Sequence, residues 1–201
     1  MIEKISKGIS EGMEEMAVEK TAQGIDNDNN TPYTSTLPLK SYMKYIKATS
    51  DMANDIYSLL HTTIKTVYPK YYPKEVVDFF CEHHSKEHIL DGIASGNMGV
   101  LMDGDVIVGT GCFDGNHITG VYVLPSYQKQ GCGSYIMNCL ETVIAKNFEK
   151  AILDASLPAA CLYENRGYKT VGHGIFELEN DVKLVYEIME KELKYDEMHN
   201  L

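Results

Sequence analysis

The stretch GVYVLPSYQKQGCG, Gly120 to Gly133, constrains this chain most tightly. A β-branched strand runs into Pro125, which cannot donate to a ladder. The loop SYQKQGCG then opens a long helix, expected over about 133 to 147. Its apolar positions, Ile136, Met137, Leu140, Val143, Ile144 and Phe148, form one stripe. Gly131 and Gly133 let backbone approach a ligand with no Cβ in the way. The free N–H groups of the first helical turn, with the positive end of the dipole, suit phosphate oxygens. A tight structural turn accounts for the same two glycines. Two other glycine-rich readings fail. A P-loop needs GxxxxGK[ST], which is absent, and a dinucleotide fingerprint needs glycine at 136, where isoleucine stands.

The flanking sequence supplies a sheet for this unit. YMKYIKA, from residue 42, reads as a first strand, followed by a helix carrying Met52, Ala53, Ile56, Leu59 and Leu60. YPKYYPK breaks that helix, and further helices are expected over Lys74 to His84 and Lys86 to Ile93. MGVLMDGDVIVGTGCFDGNHITGVYVLP contains three strands, turned at Asp103-Gly104 and Asp114-Gly115. AILDAS is a strand, PAACLYENRG a short helix, and YKTVGHGIF and KLVYEIMEKEL a closing pair of strands. The expected fold is mixed α/β, a largely antiparallel sheet flanked by helices. Ahead of it, Ile2, Ile5, Ile9, Met13, Met16 and Ala17 recur at helical spacing. GIDNDNNTPYTST then reads as a linker, so residues 1–36 form an amphipathic helix with its tether and 37–201 the main domain. An isolated helix gains little stability alone, so its stripe needs a cover. Its own domain or a second subunit in a homodimer would provide one.

Composition excludes several function classes. The formal net charge of −11 argues against a nucleic-acid surface, which needs a basic face. No run approaches the ~20 apolar residues that span a bilayer. MIEKISKGISEGMEEM mixes both charge signs and offers no apolar signal core, so a cytoplasmic protein with no membrane partner is expected. The cysteines, Cys81, Cys112, Cys132, Cys139 and Cys161, are odd in number and include no CxxC pair. Isolated thiols fit better than disulfides or a cysteine zinc site. HSKEH, His84 to His88, matches H-x-x-E-H, but the surrounding elements are not those of a metalloprotease. It reads as a polar helix end, and no metal is expected.

Val123, Pro125, Tyr127, Gln128, Gly131 and Gly133 spell V-x-P-x-Y-Q-x-x-G-x-G. This resembles the Q/R-x-x-G-x-G/A signature of the GNAT N-acetyltransferase superfamily. PAACLYENRGYKTVG resembles that family's second signature, with Tyr163, Glu164, Gly167 and Tyr168 in its places. The resemblance covers about residues 42 to 193. It implies acetyl-coenzyme A as co-substrate and an amine acceptor, on a small molecule or a protein. It implies that the main chain of Val121, Tyr122 and Val123 pairs with the pantetheine arm. It also implies that Gln128, Lys129, Gln130, Gly131, Cys132, Gly133 and Ser134 cradle the pyrophosphate. Ser156 stands where the family often has an asparagine contacting the cofactor amide. Gln128 and Gln130 leave Lys129 as the loop's basic residue, so backbone donors should dominate.

Acyl transfer to an amine must deprotonate the amine, steady the oxyanion and protonate the departing thiolate. The resemblance places Tyr163 at the sulfur, and a phenol of pKa about 10 holds its proton at neutral pH. His117 is a candidate base on the strand leading to the loop. Strict alternation would set it on one face with Thr119, Val121 and Val123. Glu82, His83, His84 and a water relay compete with it. Tyr68-Pro-Lys-Tyr-Tyr-Pro-Lys could line an amine pocket through cation–π contact, or could merely break a helix. Cys132 has no evident partner base, so transfer is expected to be direct. Two further readings stand beside the enzyme: a non-catalytic acyl-coenzyme A-binding regulatory module, and a domain serving the N-terminal helix as an interaction arm.

Overall fold

The computed structural model describes residues 43–194. The helix expected at 2–22, its linker and the boundary near Leu37 lie outside the described residues. Strand β1 is Lys44–Lys47, and the helices α1, Ala53–Val67, α2, Lys74–His83, and α3, Lys86–Ala94, follow. Next come β2, Met98–Asp103, β3, Val106–Asp114, and β4, His117–Val123. The remainder is α4, Cys132–Ile144, β5, Lys150–Ala155, α5, Ala160–Asn165, β6, Lys169–Glu177, and β7, Lys183–Glu192.

Local chemistry accounts for the breaks. Gly104 and Gly115 turn the β2–β3 and β3–β4 hairpins at φ of 61° and 56°, where a side chain would be strained. Pro69 ends α1 in a short 3₁₀ turn, and Pro73 stands at the N-cap of α2. His84 leaves α2 at φ −92°, ψ 53°, and Ser85 caps α3 by accepting from the His88 amide at 3.2 Å. His84 and His88 therefore sit on either side of a helix break, not on one face as a single-helix reading of HSKEH requires. Among the described residues, no three potential metal ligands come together.

The seven strands run in the order β1-β2-β3-β4-β5-β7-β6, antiparallel throughout except where β4 meets β5. Each face carries its own core. On one, Ile136, Met137, Leu140 and Ile144 of α4 pack on Leu101, Val108, Leu153 and Met189. Gly111 permits this approach, since a Cβ there would lie 2.5 Å from Ile136. On the other, Ile56, Leu60, Ile64, Val76 and Ile89 of α1 to α3 cover Val100, Ile107, Tyr122 and Leu184. The α4 stripe is narrower than the sequence pattern predicts. The helix ends at Ile144, leaving Val143 on its flank and Phe148 beyond its end, 43% and 39% exposed. No helix among the described residues is long and apolar enough to cross a membrane.

Candidate active site

Strands β4 and β5 pair only at His117↔Ile152 and Ile118↔Leu153, then part. A bulge explains the parting. On the other edge of β4 the register jumps from Cys112↔Gly120 to Phe113↔Ile118, leaving Thr119 without a register partner in β3. An extra residue bends its strand and reverses the alternation beyond it. The Leu124 amide donates to the Val108 carbonyl at 2.9 Å, toward β3. By antiparallel alternation, the main chain of Val123 and Val121 faces the opposite way, into the gap. The Val123 carbonyl accepts there from Gln128 Nε2 at 3.0 Å and Thr63 Oγ1 at 3.3 Å. The gap widens into a cleft of about 800 Å³ that passes from one sheet face to the other. Ligand sites commonly measure about 300–1,000 Å³.

On the α4 face, the cleft ends at the loop before the helix. Gln128, Lys129, Gly131, Gly133 and Ser134 line it. Lys129 and Gly131 adopt positive φ of 60° and 86°, and no side chain caps α4. The Gly133 and Ser134 amides belong to the first turn, which has no intrahelical acceptor, and so suit an anion. The Gln130 side-chain amide instead donates to the Ser126 carbonyl at 2.7 Å, and the Cys132 side chain is buried in the core beneath the helix. Tyr163 of α5 borders the same space, 6% exposed, its ring edge-on to Tyr168 at 5.9 Å. Burial, with smaller contributions from Tyr68 and Cys112, pushes its pKa well above the usual phenol value, against a weaker opposing pull from Arg166. Arg166 locks α5 to α4. Its guanidinium binds Glu141 at 2.8 and 3.2 Å, Asn138 Oδ1 at 2.7 Å and the Ser134 carbonyl at 3.1 Å. Lys191 completes the cluster on Glu141 at 2.9 Å.

On the α1–α3 face the lining is aromatic and imidazole. Ser156 Oγ lies 3.4 Å from the Tyr68 hydroxyl, and His84 Nε2 lies 2.8 Å from that of Tyr122. Burial, then the neighbouring histidines, lowers the His84 pKa to about 3, and burial also lowers that of His83. Both rings are neutral at pH 7. His61 Nε2 donates to the His84 carbonyl at 3.1 Å. The Tyr122 side chain belongs to this face, so of the three residues at 121–123 it turns its ring away from α4.

His117 lies at the closed end, where β4 still pairs with β5. Its Nε2 is 3.6 Å from Asp154 Oδ2, and Asp154, not His117, borders the cleft. The alternation expected through Thr119 fails at the bulge, which sets Ile118 with Val121 and Val123 against the α4 core. His83 and His84 line the cleft, whereas Glu82 faces a separate shallow hollow of about 360 Å³ beside His61 and Cys81. Tyr68 and Tyr71 of the YPKYYPK stretch do line it, and Tyr72 instead accepts from the Leu157 amide at 2.7 Å. Sequence reasoning misses Asp154, Arg166, Phe79, Phe176 and Tyr186. Asp154 carries a usable signal: it is the lone carboxylate of AILDAS, opposite in phase to the buried Ala151, Leu153 and Ala155. Nothing local marks the others.

The family described as Acetyltransferase (GNAT) domain matches residues 67–186, well over half of the chain. No curated protein sequence matches. Among solved structures, a GCN5-related N-acetyltransferase from Rhodopseudomonas palustris superposes with a TM-score of 0.71 at 20% identity, covering 78% of this chain and 99% of that one. PaiA N-acetyltransferase from Thermoplasma acidophilum, in complex with coenzyme A, gives 0.60 at 16%, covering 75% and 98%. The ribosomal-protein-S18-alanine N-acetyltransferase from Escherichia coli gives 0.58 at 15%, covering 79% and 98%. At such identities the likeness is one of fold.

Proposed function

The chain belongs to the GNAT acetyltransferase family, and from that membership we propose that it moves an acetyl group from acetyl-coenzyme A directly to an amine. The parted β4–β5 edge carries the reading, because it combines a free strand edge with an uncapped helix start. A strand edge can accept an extended, amide-bearing arm by β-type pairing. The main chain of Val121 and Val123 and the amides of Gly133 and Ser134 suit the two polar parts of coenzyme A. Lys129 adds a cation, the one lysine among the described residues that line the cleft. Ser156 sits across the gap, engaged with Tyr68.

When bound, acetyl-coenzyme A supplies an activated thioester carbon. Tyr163 holds its proton at neutral pH and serves as acid to the leaving sulfur. The acceptor arrives as an ammonium and must lose a proton before its lone pair can attack. Asp154 meets that ammonium, and His117, 3.6 Å behind it, passes the proton outward. Over one cycle the N–C bond forms, the C–S bond breaks, and one proton reaches solvent. Cys132 is buried away from the cleft, which favours direct transfer over an acetyl-cysteine route.

The test is a thermal shift with acetyl-coenzyme A followed by thiol release across an amine panel. Stabilisation with amine-dependent thiol release is expected. Stabilisation without thiol release from any amine would leave the binding-module reading in its place.

A further inference from the structure

The half of the cleft on the α1–α3 face is built unlike the half at the α4 loop. Its walls are the rings of Tyr68, Tyr71, Phe79, Phe80, Phe176 and Tyr186. They pack on one another, with Tyr68–Phe80 centroids 4.8 Å apart, edge-on, and Phe79–Phe176 5.0 Å apart. The second contact ties α2 to β6. Tyr186 pairs across the strands with Gly174, and a Cβ at Gly174 would fall 2.0 Å from its ring. The missing side chain thus lets the tyrosine lie across the sheet as part of the floor.

Charge in this lobe is sparse. Among the described residues lining the cleft, Asp154 is the one carboxylate. His83 and His84 are neutral there, and the acidity behind the net charge of −11 lies elsewhere on the chain. Asp154 projects to the same face as the lobe, because Ala151, Leu153 and Ala155 fill the opposite core. Its side chain is 44% exposed, and desolvation of the remainder raises its pKa more than His117 lowers it. Tyr186 lies near enough for Asp154 to raise its own pKa, behind a larger effect of burial.

From this arrangement we infer that the acceptor is a small monoamine on an aromatic body, its ammonium at Asp154 and its ring against the wall formed by Phe79, Phe80, Phe176 and Tyr186. The inference rests on the acetyl-transfer reading above. Aromatic walls take a flat apolar body by offset and edge contacts, and they favour a cation at their faces. One carboxylate matches one ammonium. A polyamine would bring further charges against apolar rings with no anion to meet them, which is costly. A peptide N-terminus would set the polar backbone behind its ammonium against the rings of Phe79, Phe80 and Phe176, which offer it no hydrogen-bond partner.

The experiment uses the full-length chain. Acetyl-coenzyme A binding is measured first by calorimetry. Thiol release is then followed with phenethylamine, tryptamine, spermidine and a short alanine-terminated peptide. The expected result is kcat/KM for the aromatic amines ~10-fold or more above spermidine and the peptide, the discrimination of a single well-matched site. Asp154→Asn should raise KM for phenethylamine ~10-fold, leave KM for acetyl-coenzyme A within about twofold, and leave binding of the uncharged N-acetyl product unchanged. Failure to bind acetyl-coenzyme A would sink the acetyl-transfer reading itself. Binding with preference for spermidine or the peptide, or with no turnover of either aromatic amine, overturns the acceptor assignment while leaving the cofactor reading intact. An unchanged phenethylamine KM in Asp154→Asn overturns the ammonium anchor.

Discussion

Replacing Tyr163 by phenylalanine removes one hydroxyl and little else. The ring is 6% exposed and sits edge-on to Tyr168 at 5.9 Å, contacts that phenylalanine retains. Stability should therefore change by less than about 1 kcal/mol. On the proposed mechanism, what disappears is a donor to the developing thiolate. A hydrogen bond to a charged group is worth about 1.5–3 kcal/mol, which converts to a ~10- to ~150-fold loss of rate. The loss should fall on kcat and kcat/KM together, because the bond strengthens only as charge builds on sulfur. Acetyl-coenzyme A affinity should hold within about twofold, since the proposed binding surface is the β4 edge and the α4 loop. Burial holds the Tyr163 pKa above the usual phenol value of about 10, so its deprotonation should put no alkaline limb on the wild-type kcat profile below that pH. Single-turnover thiol release with a known acceptor is the assay, because it isolates chemistry from product release. Full single-turnover rates in Tyr163→Phe would refute the assignment, and the residue would then serve only to pack α5.

A double change of Gly131→Val and Gly133→Val should abolish the acetyl-coenzyme A thermal shift with cooperative unfolding retained; Gly131 alone, at φ 86°, should cost about 1–3 kcal/mol. An undiminished shift would place the cofactor elsewhere. Arg166→Ala leaves Glu141, 12% exposed as a side chain, with Lys191 as its remaining cation and removes the contacts to Asn138 and Ser134, and should destabilise by about 2–3 kcal/mol in denaturant titration. It should also loosen α5 and lower kcat, and a Tm within about 1 °C of wild type would contradict it. His84 titrates at 6.5 when unfolded but at about 3 in the fold, so the unfolded state takes up its proton first as pH falls. Its contribution is fully present above pH 6.5 and declines toward pH 3, about 2 kcal/mol being lost by pH 5. His84→Gln should flatten that part of the stability–pH curve, and an unaltered curve would show that His84 is not its source. Deleting residues 1–36 should leave acetyl-coenzyme A binding intact and change oligomeric state by light scattering. A folded truncation unable to bind the cofactor would contradict the separation of arm and site.

Local rules make the elements and the glycine loop legible in the amino-acid sequence. Periodicity marks α1, α2 and α4. Asp-Gly pairs mark the two hairpins, and the glycines at 131 and 133 mark an uncapped helix start. These signals live within a few residues, where sterics and hydrogen bonding act directly. The sequence overstates the reach of α4 because an apolar residue past the last turn, Phe148, extends the pattern without extending the helix. The functional face of His117 is decided only in three dimensions. A single residue without a register partner, Thr119, reverses the phase of β4, and no period-2 reading survives an insertion it cannot see. The aromatic lobe of the cleft is equally hidden. It unites Tyr68 with Ser156, 88 positions apart, and Phe79 with Phe176, across strands whose order β5-β7-β6 departs from that of the chain. Sequence alone determines which segments become strands and helices and where an anion could sit. Which side chains face one another across the gap is left to tertiary packing, because contact between distant residues depends on strand order and register, which no local periodicity encodes.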